Sequence, residues 1–440
     1  MTHMACNTSE TAHSPATELC RILTDNRAGM AKSIYSVCSA HRLVLEAAFT
    51  QARHDNSPLL IEATCNQVNQ DGGYTGLTPS QFREYVEAVA RDLDFPLHRL
   101  ILGGDHLGPN PWRSEPAAVA MEKASIMVSA YATAGFGKIH LDASMACADD
   151  PAVLTSAEIA ERAARLCEAA ENATQAFSEK PLYVIGTEVP TPGGAQEEMH
   201  ISITTPLSLK ETLDVHRDAF ARRNLLPAWE RVIAVVVQPG VEFNDDAVAD
   251  YSPAKATELA RYILENERVV YEAHSTDYQT TDSLRQLSID HFGILKVGPE
   301  LTFAMREAVF ALGRIEEEWI PDWKCSKIRS VIDRAMMEKP EYWKPYYRGD
   351  EVRLKVARAF SFSDRIRYYW LDNEVSASLT RLIQNLTKSP PPLPLIAQYL
   401  PRQAEAIRKG VLDNDPRGLI RHRIQESLAR YASACGLQAS

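Results

Sequence analysis

Eight short apolar runs recur along this chain, and each is followed by a stretch with helical periodicity. The runs are Ile34–Ala40, Leu59–Ala63, Arg99–Gly104, Lys138–Asp142, Leu182–Glu188, Arg231–Gln238, Arg268–Ala273 and Gly293–Gly298. Most are apolar throughout, as strands buried on both faces should be. Strand–helix alternation repeated eight times predicts an α/β fold of the (β/α)8, or TIM barrel, type. An open doubly wound sheet is the alternative, but no Gly-rich dinucleotide loop follows the first run.

The alternation stops near residue 318, and the remaining chain has only helical patterns, interrupted by a proline cluster at 390–394. We therefore expect three parts: a disordered N-terminal tail and lead-in (1–27), the barrel (28–319) and a helical C-terminal extension (320–440). The first 17 residues are polar and poor in apolar side chains, which favours disorder there. We expect the extension to cover one side of the barrel or to join subunits.

Charge and cysteine usage exclude several classes of partner. The net charge of −11 over 440 residues argues against a nucleic-acid surface. No apolar run reaches the roughly 18 residues of a membrane-spanning helix, and the N-terminus has no secretory signal. The eight cysteines form no CxxC pair, so a reducing cytoplasm is expected rather than a disulfide framework.

Every predicted strand has polar residues at its C-terminal end, which is where barrel enzymes build their active sites. A bare scaffold would not need this, because burying unpaired charge costs several kcal/mol. The residues, in strand order, are Ser39 and His41; Glu62, with Asn66, Gln67 and Asn69 following; Asp105 and His106; His140 and Asp142; Glu188; Gln238 and Glu242; Glu272, His274 and Asp277; and Lys296.

A divalent metal ion is the expected cofactor, although Zn, Mn and Mg cannot be distinguished from the sequence. His106 and His274 are candidate ligands, because neutral imidazole binds divalent cations well; hydrogen-bonded pocket histidines are the alternative. Glu188 is a candidate ligand or base, with a salt bridge in the barrel mouth as the alternative. His140 and Asp142 flank Leu141, so they share one face of their strand.

Several other polar residues are expected to contact a substrate. Lys296 is read as a charge partner for a carboxylate or phosphate rather than a Schiff-base lysine. Glu62 is read as a buried hydrogen-bond partner or an acceptor for a sugar hydroxyl. Arg306, Arg365 and Arg367 are available for phosphate binding, with ion pairing as the alternative for each. The candidate substrate-binding residues are Glu62, Asn69, His140, Asp277, Lys296, Arg306 and Arg365.

The sequence resembles the tagatose-bisphosphate aldolase subunit Z family, the GatZ/KbaZ group, from about Ala28 to Tyr431. The resemblance is carried by SVCSAH (36–41), IEATCNQVNQDGGYTG (61–76), GGDHLGPNPW (103–112), KIHLDASMACADDP (138–151), YVIGTEVPTPGG (183–194), VVQPGVEF (236–243), VYEAHSTDYQT (270–280), ILKVGPELTFAMREAVFAL (294–312) and SDRIRYYW (363–370). It implies a barrel, a ketohexose-phosphate substrate and a place in galactitol-type carbohydrate catabolism.

The family name leaves the activity open. Members are named as D-tagatose 6-phosphate 4-epimerases, as non-catalytic partners of a class II aldolase chain, or as tagatose-6-phosphate kinases. We expect a 4-epimerase that uses metal-assisted retro-aldol chemistry. The stabilising aldolase subunit is the second reading, with a class II aldolase chain or a second copy of this chain as partner. The kinase reading lacks support, because the sequence has no P-loop and no kinase Gly-rich loop.

The resemblance extends to class II aldolases themselves. Asp105 and His106 resemble their Asp–His pair, in which Asp is the acid/base and His binds zinc, and His274 resembles their late metal histidine. Where a middle metal histidine would be expected, this chain has Gln238-Pro239, so Glu188 or Gln238 would have to complete a modified site. The candidate catalytic residues are Asp105, Asp142, Glu188 and Glu272.

Overall fold

The central feature of the molecule is a closed barrel of eight parallel strands, which confirms the predicted (β/α)8 architecture. The structure is a computed structural model and describes residues 14–188, 201–266 and 268–438. The barrel strands are β1 (Ile34–Val37), β2 (Leu59–Thr64), β3 (Leu100–Leu107), β4 (Lys138–Leu141), β5 (Leu182–Ile185), β6 (Val232–Val236), β9 (Val270–Ala273) and β10 (Phe292–Val297). Between β6 and β9, strands β7 (Glu242–Phe243) and β8 (Val248–Ala249) form a separate antiparallel pair.

Helices follow the barrel strands and continue beyond the barrel. They are α1 (Pro15–Arg27), α2 (Arg42–His54), α3 (Pro79–Asp92), α4 (Ala117–Thr133), α5 (Ser156–Ala173), α6 (Pro206–Arg222), α7 (Leu226–Trp229), α8 (Pro253–Tyr262), α9 (Thr281–Ile289), α10 (Pro299–Trp319), α11 (Ile328–Glu338), α12 (Glu351–Phe360), α13 (Asn373–Lys388), α14 (Leu393–Tyr399), α15 (Pro401–Arg408) and α16 (Pro416–Ala434). Within the described part of the chain, none of these is long and apolar enough to cross a membrane.

The barrel interior changes from apolar to charged along its axis. At the N-terminal ends of β1, β2 and β10, Ile34, Leu60 and Ile294 belong to one buried apolar cluster. Two residues further along the same strands, Ser36, Glu62 and Lys296 are also buried but polar. Successive inward positions of a strand are two residues apart, so the charged layer lies directly above the apolar one.

Helix α1 corrects the expectation that the segment before the barrel is disordered throughout. Ser14 caps the helix, its hydroxyl accepting a hydrogen bond from the backbone N–H of Thr17. Leu19, Ile22 and Leu23 are buried in the apolar cluster at the bottom of the barrel. The helical spacing of these apolar residues predicts a helix. The low apolar content of residues 1–17 predicted disorder instead and concealed this spacing. The more N-terminal part of the expected tail, residues 1–13, lies outside the described residues.

The extension is helical, as expected, and it returns to the barrel. Helix α16 packs against α2, α9 and α10. Within this region of expected helices, the segment 364–370 contains only a short 3-10 turn over Arg365–Tyr368, which begins after a left-handed Asp364. Helix α14 was not expected, because it follows the proline cluster; Pro394 is tolerated since the first turn of a helix needs no N–H there.

Candidate active site

The end of β3 carries Asp105 and His106 on a distorted stretch of strand. The register between β3 and β4 shifts between Gly104 and Leu107, and His106 has a φ of 49°, in the left-handed region. A non-glycine residue there costs on the order of 1–3 kcal/mol. Successive side chains of a regular strand point to opposite faces, but here both Asp105 and His106 line the same cavity. The distortion thus brings two adjacent polar side chains into one site.

Two glycines of the GGDHLG sequence allow close packing around this strand end. A Cβ atom on Gly103 would lie 2.7 Å from Cγ of Glu62. A Cβ atom on Gly108 would lie 1.6 Å from the carbonyl oxygen of Asp142, a backbone atom that cannot move aside cheaply. Gly108 is therefore required for the close approach of β3 and the loop after β4.

Glu62 is the centre of a buried ion network inside the barrel. Its Oε1 lies 2.8 Å from Nζ of Lys138, and its Oε2 lies 2.6 Å from Nζ of Lys296. Lys138 also lies 2.7 Å from Oε2 of Glu272, and Lys296 lies 2.9 Å from Oδ1 of Asp105. Burial alone would lower the pKa of Lys296, but Asp105 and the neighbouring acids hold it well above its usual value. The network fixes the positions of the Glu272 and Asp105 carboxylates, which lie at the strand ends.

A group of four buried side chains at the strand ends could hold a metal ion. It consists of Asp105 from β3, His140 from β4, and Glu272 and His274 from the end of β9, each offering one atom within 4.8 Å of the others. Burial lowers the pKa of His274 to about 4, although its contact with Glu272 opposes this, so this imidazole is neutral at pH 7. Two imidazoles and two carboxylates suit a divalent transition ion.

His140 supports this assignment through an unsatisfied ring nitrogen. Its Nδ1 lies 3.1 Å from Oδ1 of Asp105, and its buried Nε2 has no hydrogen-bond partner among the described residues. The backbone N–H of His106 also approaches Nδ1, at 3.2 Å, but donation from Nδ1 to a carboxylate is the stronger interaction. With the proton on Nδ1, the lone pair of Nε2 is free for a cation.

The balance of charge among the buried side chains at the strand ends also favours a cation site. These side chains include two ammonium groups, those of Lys138 and Lys296, and four carboxylates. If the imidazoles are neutral, two negative charges remain without a partner. The carboxylates are those of Glu62, Asp105, Asp142 and Glu272. Burial acts to lower the pKa of His106, but Asp105 and Asp142 outweigh it and raise that pKa. A divalent cation would balance the same excess, and the residues present therefore fit one.

A cavity of about 350 Å³ opens above this group, within the range of small-molecule sites. Five of the candidate catalytic, metal-ligating and substrate-binding residues line it, together with the strand-end residues Ser39, His41, Asn66 and Gln67. The five are Asp105, His106, His274, Asp277 and Lys296. Four others are buried but do not line it: Glu62, His140, Asp142 and Glu272. Asp105 is therefore the one predicted catalytic carboxylate on the cavity wall among the described residues.

Two other predicted residues have side chains that form hydrogen bonds within loops. Asn69 is buried, donates to the carbonyl of Cys65 and accepts from the backbone N–H groups of Asp71 and Gly73. Gln238, considered as a replacement for the middle histidine, accepts from two backbone N–H groups of its own loop. The side-chain oxygen of each amide is thus committed to loop structure. Of the predicted metal ligands, the four-residue group contains His274 but not His106, Glu188 or Gln238.

Glu188, predicted as a ligand or base, is not brought to the metal group. Its side chain is exposed and accepts hydrogen bonds from the hydroxyls of Thr204 and Ser208, near the start of α6. It belongs neither to the four-residue group nor to the cavity lining.

The three predicted arginines differ in whether they line the cavity. Arg306 is buried in an ion pair of 3.0 Å with Asp364, and Arg365 stacks over the ring of Tyr346 at 3.3 Å. Neither lines the cavity, whereas Arg367 does. The 3-10 turn at 365–368 explains the difference, because residues two apart on it point in different directions.

Asp277 lines the cavity and is also tied to the start of α10. Its Oδ1 accepts hydrogen bonds from the backbone N–H groups of Gly298 at 2.9 Å and Glu300 at 2.8 Å. Burial raises the pKa of Asp277 to about 7, even though these N–H groups favour the charged form. Near neutral pH both protonation states are populated, so the free oxygen can donate to or accept from a ligand.

Sequence reasoning missed Lys138, Tyr74 and Tyr368. Lys138 lies two positions before His140 on β4, so strand alternation alone would have put it inside the barrel with that histidine. Tyr74 and Tyr368 line the cavity from the β2 loop and the extension, with ring centroids 5.0 Å apart. Only the folded chain brings these two distant segments together.

A parallel eight-stranded barrel with two carboxylates and two imidazoles at the C-terminal ends of its strands defines a TIM-barrel protein with a candidate metal centre. Over residues 19–436 the chain matches the family described as D-tagatose-1,6-bisphosphate aldolase subunit GatZ/KbaZ-like. The chain belongs to that family, which confirms the resemblance seen in its sequence.

The chain is similar to solved structures, one of which has a high sequence identity. A crystal structure of a probable tagatose 6 phosphate kinase from Sinorhizobium meliloti 1021 is 44% identical, with a TM-score of 0.85, covering 92% of this chain and 100% of that one. A fructose-bisphosphate aldolase from Campylobacter jejuni is 14% identical with a TM-score of 0.44, covering 86% and 93%. A putative fructose-1,6-biphosphate aldolase from Coccidioides immitis is 13% identical with a TM-score of 0.40, covering 83% and 98%. The two aldolases are too distant to carry an argument about this chain.

Proposed function

We propose that this protein is a D-tagatose 6-phosphate 4-epimerase, which interconverts D-tagatose 6-phosphate and D-fructose 6-phosphate in galactitol- or tagatose-type catabolism in the cytoplasm. The observation that carries the proposal is the group of Asp105, His140, Glu272 and His274 beneath a sugar-sized cavity. The names of the family and of the Sinorhizobium meliloti relative, which both refer to phosphorylated tagatose, support this class of substrate.

Retro-aldol cleavage is the chemically accessible route to inversion at C4. The hydrogen on C4 is not acidic, because C4 is one carbon too far from the C2 carbonyl. Cleavage of the C3–C4 bond leaves its electron pair on the C1–C3 fragment as an enediolate and turns C4 into an aldehyde. Re-addition to the opposite face of that aldehyde inverts C4, and the overall reaction consumes no co-reactant.

Asp105 is assigned the proton transfer at the C4 oxygen. It lines the cavity, and Lys296 with the surrounding imidazoles outweighs the effect of burial and keeps its pKa well below normal. Asp105 is therefore ionised and able to accept the C4 hydroxyl proton, which it returns when the C3–C4 bond re-forms. Asp142 and Glu272, which were also predicted to be catalytic, do not line the cavity.

The remaining residues would hold and orient the substrate. A divalent cation, when bound to the four-residue group, supplies Lewis-acid stabilisation of negative charge on the C2 and C3 oxygens. Lys296 adds a fixed positive charge beside Asp105. Phe243, Trp370 and Leu371 form apolar parts of the wall, which keep water from the reactive aldehyde while its two faces exchange.

A non-catalytic role as the stabilising subunit of a class II aldolase is the alternative, because the family description calls its members aldolase subunits. The two functions differ in whether this chain acts alone. Besides the ketohexose phosphate, the partners we propose are an aldolase chain or a second copy of this chain, and no nucleic-acid or membrane partner is proposed.

Carbon-13 NMR of the purified chain with D-tagatose 6-phosphate tests the proposal. After EDTA treatment and re-addition of Zn²⁺, Mn²⁺ or Mg²⁺, D-fructose 6-phosphate should form only with a cation present. The Asp105→Asn variant should stay folded and lose turnover. Asp94→Asn, a change at an exposed loop acid, should behave as the wild type. Absence of turnover with every cation, together with a gain in activity of an added class II aldolase, would establish the companion role instead.

A further inference from the structure

We infer that Arg367, contributed by the C-terminal extension, binds the phosphate group of the substrate and sets the preference for phosphorylated over free sugars. This inference deepens the proposed function and rests on it for the identity of the sugar. The binding of a phosphate itself does not depend on which reaction the site performs.

Arg367 is a cavity-lining cation without a carboxylate partner. Lys296, which also lines the cavity, is neutralised by Glu62 and Asp105. Arg306 is neutralised by Asp364. Within the described ranges Arg367 makes no ion pair, so its charge is available to an anionic ligand in the cavity.

The hydrogen bonds of Arg367 within the described residues use three of its five N–H donors. Its Nη1 donates to the backbone carbonyls of Ser363 and Asp364, the latter at 3.2 Å, and its Nη2 donates to the hydroxyl of Tyr368 at 3.1 Å. A guanidinium has five N–H donors, so Nε–H and one N–H of Nη2 have no protein acceptor in the described parts of the chain. These two donors can form the paired contacts that guanidinium makes with phosphate oxygens.

Aromatic side chains give this part of the cavity a defined shape. The guanidinium carbon of Arg367 lies 4.6 Å from the ring centroid of Tyr368, which in turn contacts Tyr74. Burial would raise the pKa of the Tyr368 hydroxyl, but Arg367 and Arg365 outweigh it and lower that pKa. A more acidic hydroxyl is a better hydrogen-bond donor to an anion. Arginine and tyrosine together therefore form a site suited to a phosphate monoester.

Asp105 and Arg367 line the same cavity, so one extended ligand can contact both. A hexose phosphate has its phosphate at C6 and its reacting bond at C3–C4, which fits one ionic anchor and one reactive cluster within a cavity of about 350 Å³. The extension would thus be part of the active site rather than only a cover for the barrel helices.

The test combines calorimetry and kinetics on the full-length chain. Inorganic phosphate is titrated into the wild type and into the Arg367→Met, Arg367→Lys and Arg381→Met variants. Arg381 is an exposed arginine of the same extension and serves as the control. Loss of charge-assisted hydrogen bonds should weaken phosphate binding by about 10- to 100-fold in Arg367→Met, less in Arg367→Lys, and not at all in Arg381→Met.

Kinetics with two substrates separate this inference from the proposed function. Arg367→Met should raise KM for D-tagatose 6-phosphate by a similar factor and lower the ratio of kcat/KM for D-tagatose 6-phosphate to kcat/KM for unphosphorylated D-tagatose. Unaltered phosphate affinity in Arg367→Met, or no phosphate binding by the wild type, would overturn the inference. Phosphate binding that depends on Arg367 in a chain without epimerase activity would refute the proposed function and leave the inference standing.

Discussion

Nδ1 of His106 lies 2.8 Å from Oδ2 of Asp142, and both side chains are buried. Oδ1 of the same carboxylate accepts hydrogen bonds from the hydroxyl and the backbone N–H of Ser144. Asp142 is therefore fixed on both oxygens and in turn fixes the ring of His106, whose other nitrogen lies 3.9 Å from Asp105. Asp142, predicted to be catalytic, acts on the cavity through His106 in this arrangement.

We expect Asp142→Asn to reduce kcat/KM by about 10- to 100-fold while the protein remains folded, as is typical when the partner that orients an active-site histidine is removed. The pKa of His106 should fall in the variant, because the Asp142 carboxylate is one of the charges that raise it. NMR titration of histidine-labelled protein measures this pKa. Ser144→Ala, which leaves the carboxylate in place, should have a smaller effect on both quantities. A loss of activity with an unchanged His106 pKa would contradict the orienting role.

Lys138→Met should destabilise the barrel strongly. The side chains of Lys138, Glu62 and Glu272 are completely buried, so the variant leaves negative charge without its partner inside the barrel. Removal of one member of a buried ion pair costs about 3–5 kcal/mol. The free energy of unfolding from urea denaturation checks this value.

The control for that variant uses an exposed ion pair. Lys409→Met removes a pair with Glu405 in which both side chains are more than half exposed, and it should cost less than about 1 kcal/mol. The double variant Lys138→Met, Glu272→Gln should recover part of the lost stability, because it removes an unpaired charge. If Glu272→Gln destabilises the Lys138→Met variant by as much as it destabilises the wild type, the charge-pairing explanation is wrong.

The fold could be predicted from the sequence because its signal repeats. Each of the eight predicted runs overlaps one barrel strand, and the disagreements lie at their ends, as at Ile34–Ala40, where the strand ends at Val37. Helix α1 was not predicted because it is a single amphipathic helix that belongs to no repeat. Its apolar face is explained only by the bottom of the barrel, which it closes.

The site could be predicted only in part, for a geometric reason. Strand ends singled out Asp105, His140, Glu272 and His274 as polar residues that meet at one end of the barrel, although only His274 of these four was predicted as a metal ligand. The sequence could not show that Glu188 turns outward to Thr204 and Ser208, or that a 3-10 turn puts Arg367 rather than Arg365 on the cavity wall. Those outcomes depend on loop conformation, which has no periodic signal.

His216 on α6 lies outside the site and is buried with an incomplete set of hydrogen bonds. Its Nδ1 lies 2.8 Å from the carbonyl oxygen of Thr212, and its Nε2 has no partner among the described residues. Burial lowers the pKa of His216 to about 4 in the folded chain, against 6.5 for an unperturbed histidine. The folded state therefore favours the neutral ring, while the unfolded state takes up a proton at higher pH.

The sign of the resulting pH dependence follows from that difference. Above pH 6.5 the ring is neutral in both states and the full stability is present; as pH falls from 6.5 toward 4, the unfolded state gains protons and stability is lost. At pH 5 the loss from His216 should be about 2 kcal/mol relative to pH 7.5. Urea denaturation at both pH values should show that His216→Gln loses less stability on acidification than the wild type by about this amount. His98→Gln, at an exposed histidine, should follow the wild type. Equal acid sensitivity of His216→Gln and the wild type would show that His216 does not carry this pH dependence.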